Sequence, residues 1–318
     1  MSNDVSIPLT VSADGQSSLH ELGKMIQGWR KDNKSVPHAP VGDTDQWRQL
    51  TSAGWHRFGI TIDGENPTSG CDLLALSELC GRELLALPLV ATVGALRWLH
   101  RSDPPAAGRW EPLQAASLAL PASGHRMVVP FAANACALIP TPEAIGQPAD
   151  LGAYADHDDY ASTFPLAFVR VSGHASVSAL ANPGVREVAL MHSATTVGCA
   201  ARCLERSVEY SRERKAYGAQ IGSFQAVRHM MADMYRDVEL IRSGLVGALI
   251  ENDWIALALH CTAVAQRVVA QSIQIHGGIG FTWDAGLHFH ARHIMAVRKM
   301  LMRLNEAALQ EQEITHAA

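Results

Sequence analysis

The sequence predicts a mainly α protein with a small central β-domain and a C-terminal four-helix bundle. Three observations carry this expectation. Apolar residues recur at steps of three and four through most of the first and last thirds of the chain, the period of helices with one buried stripe. The middle third switches to short apolar or alternating runs divided by Gly, Pro, Asn and Asp, as strands and turns require. Finally, four long amphipathic segments joined by short links close the chain, and an antiparallel bundle is the simplest way to bury four such stripes together. The expected division is a reduced helical domain at 1–108, a β-domain at 109–187 and the bundle at 188–318.

Taken in order, Ser17 to Asp32 forms the first helix, with Leu19, Leu22, Met25, Ile26 and Trp29 as its stripe. Pro37 and Pro40 break the chain, and Trp47 to Trp55 makes one or two turns closed by Gly54. From Cys71 to His100 the helical period returns in two segments around Pro88, the first carrying Leu73, Leu74, Leu76, Leu79, Leu84 and Leu85. Asp103 to Gly108 is a Pro-rich break. Strands are expected in Ala116 to Leu120, Met127 to Ile139 and Leu166 to Leu180, the last folding back around Gly173 as a strand pair. From Val188 onward the expectation is helix throughout. The second bundle helix places Phe224, Val227, Met230, Met231, Met234, Val238, Ile241 and Leu245 on one side. A third runs from about Trp254 to Ile275, and a fourth carries Leu287, Ile294, Val297, Leu301 and Leu304.

Composition narrows the function classes. With 318 residues, 47% hydrophobic and 18% charged, the chain is that of an ordinary globular protein with ample core. A net charge of -5 argues against nucleic acid as the main partner. The longest apolar run, Leu84 to Leu96, contains Pro88 and Gly94 and is too short to span a bilayer, so no membrane role is expected. The first residues have neither a basic start nor an apolar core of an export signal, which makes the cytoplasm the expected location. No two of the six cysteines have the two-residue spacing of a zinc knuckle or redox pair, and buried free thiols are expected.

Two corners carry the candidate chemistry. In the first, Arg212, Arg214, Lys215, Tyr217 and Gly218 follow the apolar stripe Val197, Ala201, Leu204 and Val208. Cations at a helix end complement its dipole, and a guanidinium also grips phosphate in bidentate fashion. In the second, Gln274 to Phe281 ends the third bundle helix with Gly277 and Gly278. Paired glycines cap a helix, and they also let a cofactor approach with no Cβ in the way. His288, His290 and His293 invite a metal assignment, but only His290 and His293 have ligand spacing and no carboxylate joins them, so exposed or core-edge histidines and no metal are expected. Asp156, His157, Asp158 and Asp159 are expected in a solvated loop. A di-iron bundle needs a Glu-x-x-His motif on each of two helices, and the bundle segments hold it once, at Glu313 to His316, so no di-iron site is expected; no P-loop, nucleophile elbow or kinase signature occurs.

Together the corners point to one family. YSRERKAYG followed by IGSFQAVRHMMADM and then QIHGGIGFTWDAGL resembles the C-terminal bundle of acyl-CoA dehydrogenases, with its Arg-x-x-aromatic-Gly, Phe-Gln and Gln-x-x-Gly-Gly motifs in order. The resemblance is strong from about Val188 to Gly286, with fainter echoes in WRQLTSAGW and SELCGRELLALP. It implies an acyl-CoA dehydrogenase-like fold and a flavin enzyme that desaturates an acyl-CoA thioester between its α and β carbons. It also implies that the two corners reach across a subunit interface to the FAD of a neighbour. Carried over, Arg214 would hold the pyrophosphate, Tyr217 and Gln225 would lie along the dinucleotide, and Gln274, Gly277 and Gly278 would meet its adenosine end.

The chain also departs from the family. Its β-domain lacks the Thr-Glu-Pro and Trp-Ile-Thr segments that hold the isoalloxazine, the nearest segment being SLALPASGHRM, and no Trp occurs between Trp110 and Trp254. The usual catalytic glutamate would align with Leu301, and the next acid, Glu306, lies in no Tyr-Glu-Gly-Thr loop. Glu187 stands one position off the register of the family's minority base, at the start of the first bundle helix, and is a candidate on that ground alone. The resemblance therefore implies a short subunit, similar to those of actinobacterial heterotetrameric acyl-CoA dehydrogenases that act on steroid-derived CoA esters. Such a subunit would complete the FAD site of a larger partner that itself holds most of the acyl-CoA. The alternatives are a scaffold subunit without FAD contact and an independent dehydrogenase that uses Glu187.

Overall fold

The computed structural model describes residues 11–32, 40–60, 69–111, 114–122, 126–131, 135–138, 155–158, 164–170 and 182–317. Among the described residues the N-terminal part holds five α-helices: α1 (Ala13–Asp32), α2 (Thr44–Ser52), α3 (Gly70–Arg82), α4 (Leu89–Ser102) and the short α5 (Pro104–Gly108). Capping chemistry sets their starts. Asp43 and Gln46 form a capping box that begins α2, and Ser69 and Asp72 do the same for α3. The Asp72 carboxylate also accepts from Ser12 N–H at 2.8 Å, which ties the start of α1 to the start of α3.

Several expectations fail here for local reasons. α1 begins four residues earlier than expected, at Ala13. Leu84 and Leu85 are not part of α3: Leu84 turns to φ +46, and Leu85 bridges Val41 in extended form. Both leucines are nonetheless buried, so periodicity alone did not separate them from the helix. Asp103 to Gly108 is not a plain break, because Asp103 accepts from Ala106 N–H and the prolines sit in the first turn of α5, where a missing N–H costs nothing.

The β-part is small. Strands β1 (Ala116–Leu118) and β4 (Cys136–Leu138) pair in parallel, while β2 (Leu120–Ala122), β3 (Arg126–Pro130), β5 (Ala155–Asp158) and β6 (Leu166–Arg170) form an antiparallel sheet of order β2-β3-β6-β5. The expected acidic loop is therefore partly strand, since Asp156, His157 and Asp158 lie in β5, paired with β6. The expected strand pair around Gly173 lies outside the described residues.

The bundle comprises α6 (Pro183–Glu213), α7 (Gln225–Ala248), α8 (Trp254–His276) and α9 (Leu287–Ala317). α6 starts five residues before Val188, because Asn182 caps it and Pro183 takes its first position. It packs most extensively against α3 and α8. The α3–α6 crossing is made by two glycines. A Cβ on Gly81 would stand 1.9 Å from the Thr195 carbonyl oxygen, and one on Gly198 would stand 1.9 Å from that of Glu78. A buried ion pair, Arg242 on α7 to Glu78 on α3 at 2.7 Å, joins the N-terminal helices to the bundle a second time. No helix among the described residues is long and apolar enough to cross a membrane.

Candidate functional site

The bundle brings the two sequence-predicted corners to one end. α6 and α8 run side by side in the same direction, as two contacts fix: Ser207 Oγ donates to Ser272 Oγ at 2.8 Å, and one turn on the Tyr210 ring stacks on His276 at 4.5 Å and 20°. Their C-termini therefore emerge together, and the chain turns back there to begin α7. Arg214, Tyr217, Gln225, Gln274, Gly277 and Gly278 all lie at that end.

Each is placed by local chemistry. Arg214 is the residue after α6, and its N–H donates to the Tyr210 carbonyl while its own carbonyl accepts from Ile221 N–H, both at 2.8 Å. This pins the backbone and leaves the exposed guanidinium with no hydrogen bond or ion pair among the described residues. Strands β7 (Lys215–Ala216) and β8 (Ala219–Gln220) form a hairpin whose two loop residues, Tyr217 and Gly218, both have positive φ, +52° and +80°. That is the geometry of a type I′ turn, which favours Asn-Gly over Tyr-Gly. The Tyr217 ring is 98% exposed and meets only the edge of Phe224, at 6.4 Å.

Gln225 is the first residue of α7. Phe224 before it makes no side-chain cap and no acid lies in the first turn, so free N–H groups point outward from the positive end of the helix dipole. Gln274 is exposed in the last turn of α8. Gly277 ends that helix at φ +61°, ψ -140°, and a Cβ on either Gly277 or Gly278 would meet nothing within 4 Å. Beyond them Phe281 and Trp283 stand 78% and 61% exposed, forming an aromatic ledge that the sequence reasoning passed over although both residues lie within six positions of Gly277.

Glu187 is elsewhere, on the first turns of α6 facing α4. Its two carboxylate oxygens are taken by Arg97 at 3.0 Å and Arg101 at 2.7 Å. Between the bundle and the sheet, Phe164 packs edge-on against His192 at 4.9 Å and against His293 at 5.4 Å, and His293 Nε2 meets Thr195 Oγ1 at 2.7 Å. Burial pushes the His192 imidazole down to about 3 and that of His293 to about 4, so both are neutral. His290 and His293 are not the exposed or core-edge residues expected, because the α6–α9 contact buries both. Among the described residues no group of three His, Cys, Asp or Glu side chains could hold a metal ion. All six cysteines are free.

Comparison with known proteins places a family likeness on the bundle. Residues 185–300 match the acyl-CoA dehydrogenase C-terminal domain. A curated relative, acyl-CoA dehydrogenase IpdE2 of Mycobacterium tuberculosis, is 32% identical over 134 residues, covering 39% of this chain and 42% of that protein. The chain thus matches less than half the length of that relative. In overall fold the acyl-CoA dehydrogenase likeness reaches beyond the bundle. The Tcur3481-Tcur3483 steroid ACAD has a TM-score of 0.70 at 19% identity, covering 94% of this chain and 99% of that one. The ChsE4-ChsE5 complex of Mycobacterium tuberculosis has a TM-score of 0.68 at 19% identity, covering 96% and 97%.

Proposed function

We propose that this chain is the shorter subunit of a hetero-oligomeric acyl-CoA dehydrogenase, and that the end of its bundle completes an FAD site whose remainder belongs to a larger partner of the same family. The observation that carries the proposal is the meeting, at one end, of an unpaired guanidinium, an uncapped helix N-terminus and a glycine corner without side chains. An anionic dinucleotide needs a cation, free N–H donors and a surface its backbone can approach, and these groups fit that need. Arg214 with the first turn of α7 would take the pyrophosphate, Tyr217 and Gln225 would lie along the dinucleotide, and Gln274, Gly277 and Gly278 would face the adenosine. FAD supplies the acceptor for the hydride lost when a CoA thioester is desaturated between its α and β carbons. This chain's residues bind and orient it, while the acyl-CoA and the base lie on the partner.

Glu187 is better read as an anchor between α6 and α4 than as the base of an independent dehydrogenase. A carboxylate with both oxygens held by arginines is poorly placed to accept a carbon-bound proton. The names of the structural relatives, a steroid ACAD and a two-protein complex, favour a CoA thioester of steroid origin and a heterotetramer. Co-expression with a full-length homologue tests the proposal. An Arg214→Ala complex that assembles normally is expected to retain less than a tenth of the flavin of the parent. Undiminished flavin in that complex would instead identify a scaffold subunit, and a lone chain that purifies loaded with FAD and oxidises an acyl-CoA would end the partner hypothesis.

A further inference from the structure

α9 carries a line of apolar side chains on the outside of the fold. Its inner side, with Ile294, Val297, Leu301 and Leu304, is buried in the bundle, where the helix packs on α6 and α8. A surface helix ordinarily gives its outer side to polar residues. Here Met295, Met302 and Leu309 stand 40%, 48% and 52% exposed, at steps of seven residues. Seven residues make nearly two helical turns, so the three lie on one stripe, and the small lag at each step is what a left-handed crossing of two helices takes up. Apolar residues scattered singly on a surface mean little, whereas a stripe in this register is the seam of a helix pair.

The charges along α9 say which helix fits the stripe. From Leu287 to Asn305 the helix carries Arg292, Arg298, Lys299 and Arg303 and no acid; from Glu306 to Glu313 it carries Glu306, Glu311 and Glu313 and no lysine or arginine. The sign changes beside Met302, the middle of the stripe. A parallel copy of α9 would set like charges against like along its whole length. An antiparallel copy, related by a two-fold axis at Met302, sets each half against the opposite sign. In that register Met295 faces Leu309 of the second copy and Arg298 faces Glu306 of the second copy, and symmetry makes each contact twice. Arg298 is half-buried and makes no hydrogen bond or ion pair among the described residues. Glu306 already has Arg303 of its own helix at 2.9 Å, so the arginine of the second copy would join an existing pair. Exposed ion pairs contribute little to affinity, so the charges fix direction and register while the apolar stripe supplies the attraction.

We propose that α9 is the surface on which two copies of this chain pair, antiparallel, about a two-fold axis at Met302. The pairing does not depend on the function proposed above, although a heterotetramer of that kind, with two copies of this chain, would accommodate it.

The test is the association state of the full chain together with single-cysteine cross-linking, the parent with its six free cysteines serving as the control. Under mild oxidation Met302→Cys should form a covalent dimer. Met295→Cys and Leu309→Cys should not do so alone, because the two-fold axis holds like positions 14 residues, or about 21 Å, apart along the helix. An equal mixture of those two chains should cross-link. Sedimentation of the parent should show a reversible monomer–dimer equilibrium, with a dissociation constant of roughly 10 to 100 μM for so narrow a contact. Met302→Glu puts two like charges on the axis and should raise that constant at least about tenfold, and Arg298→Glu and Glu306→Arg should each do the same. A chain carrying both exchanges keeps opposite signs face to face and should return to within about threefold of the parent. Cross-linking serves where a charge variant does not fold, and it can be read in the co-expressed complex where the lone chain does not purify. A parent that stays monomeric up to roughly 500 μM would overturn the proposal. So would self-cross-linking at all three positions, a dimer untouched by Met302→Glu, or a double exchange that restores nothing. Shielding of Met302→Cys from alkylation only when the larger subunit is bound would assign the stripe to that subunit and overturn it as well.

Discussion

The two halves of α6 face opposite surroundings. In its first half, His192 and Thr195 meet Phe164 and His293 in a seam where every one of the four is 4% exposed or less. Just past its far end, two backbone hydrogen bonds hold Arg214 while its side chain reaches into open space, and the exposed Tyr217 ring meets only the edge of Phe224. In the seam the chain completes its own interior, accepting even uncharged histidines as filler. At the outer end it fixes the backbone and leaves donors, an aromatic ring and bare glycines without use inside the fold. Burial is concentrated at the first site, and the binding role proposed above falls to the second.

If the seam is a closed core, removing its central ring is the most damaging change in the pair of regions. Phe164→Ala is expected to lower the free energy of unfolding by about 3 to 5 kcal/mol, from lost burial and the cavity left among His192, His293 and Phe131. Denaturant unfolding of the variant measures this. A loss below about 1 kcal/mol would mean that the seam is not packed as described.

Acid attacks the same place by another route. His192 and His293 are neutral in the folded chain, with values of about 3 and about 4, against about 6.5 once unfolded. The unfolded chain therefore binds more protons below pH 6.5, and stability, complete above that pH, falls as pH drops toward 4. Each histidine is expected to cost about 2 kcal/mol by pH 5. His276, His290 and His56 are lowered in the same direction by burial, so the seam supplies a share of the pH slope and not all of it. Replacing His192 with Leu should flatten it, and an unchanged slope would assign the acid sensitivity elsewhere.

The outer end was largely legible in the sequence and the seam was not. Arg214, Tyr217, Gln225 and Gln274 stand in short contiguous motifs whose chemistry is local: a helix end, a two-residue turn, a glycine cap. That α6 and α8 bring them together depends on Ser207 meeting Ser272, a contact across 65 residues that no local pattern contains. The seam is non-local throughout. Phe164 is the lone aromatic of its turn, and the spacing of His290 and His293 suggests a shared helix face without saying that α6 covers it. The same limit explains Leu84 and Leu85, apolar residues in helical register that in fact leave the helix to line the core beside Val41.

Tyr217 gives the smallest and most discriminating effect. A tyrosine at φ +52° carries a steric penalty that glycine does not, and its ring, 98% exposed, recovers almost nothing by burial. Tyr217→Gly is therefore expected to leave the chain slightly more stable, by up to about 0.5 to 1 kcal/mol, the added flexibility of the unfolded glycine offsetting part of the gain. In the co-expressed complex the same substitution is expected to lower flavin retention. A seam residue cannot behave this way, since every loss of contact there lowers stability first. If Tyr217→Gly destabilised the isolated chain and left flavin unchanged, the turn would be structural, and the contrast between a self-completing interior and an outward-facing end would fail at its most exposed residue.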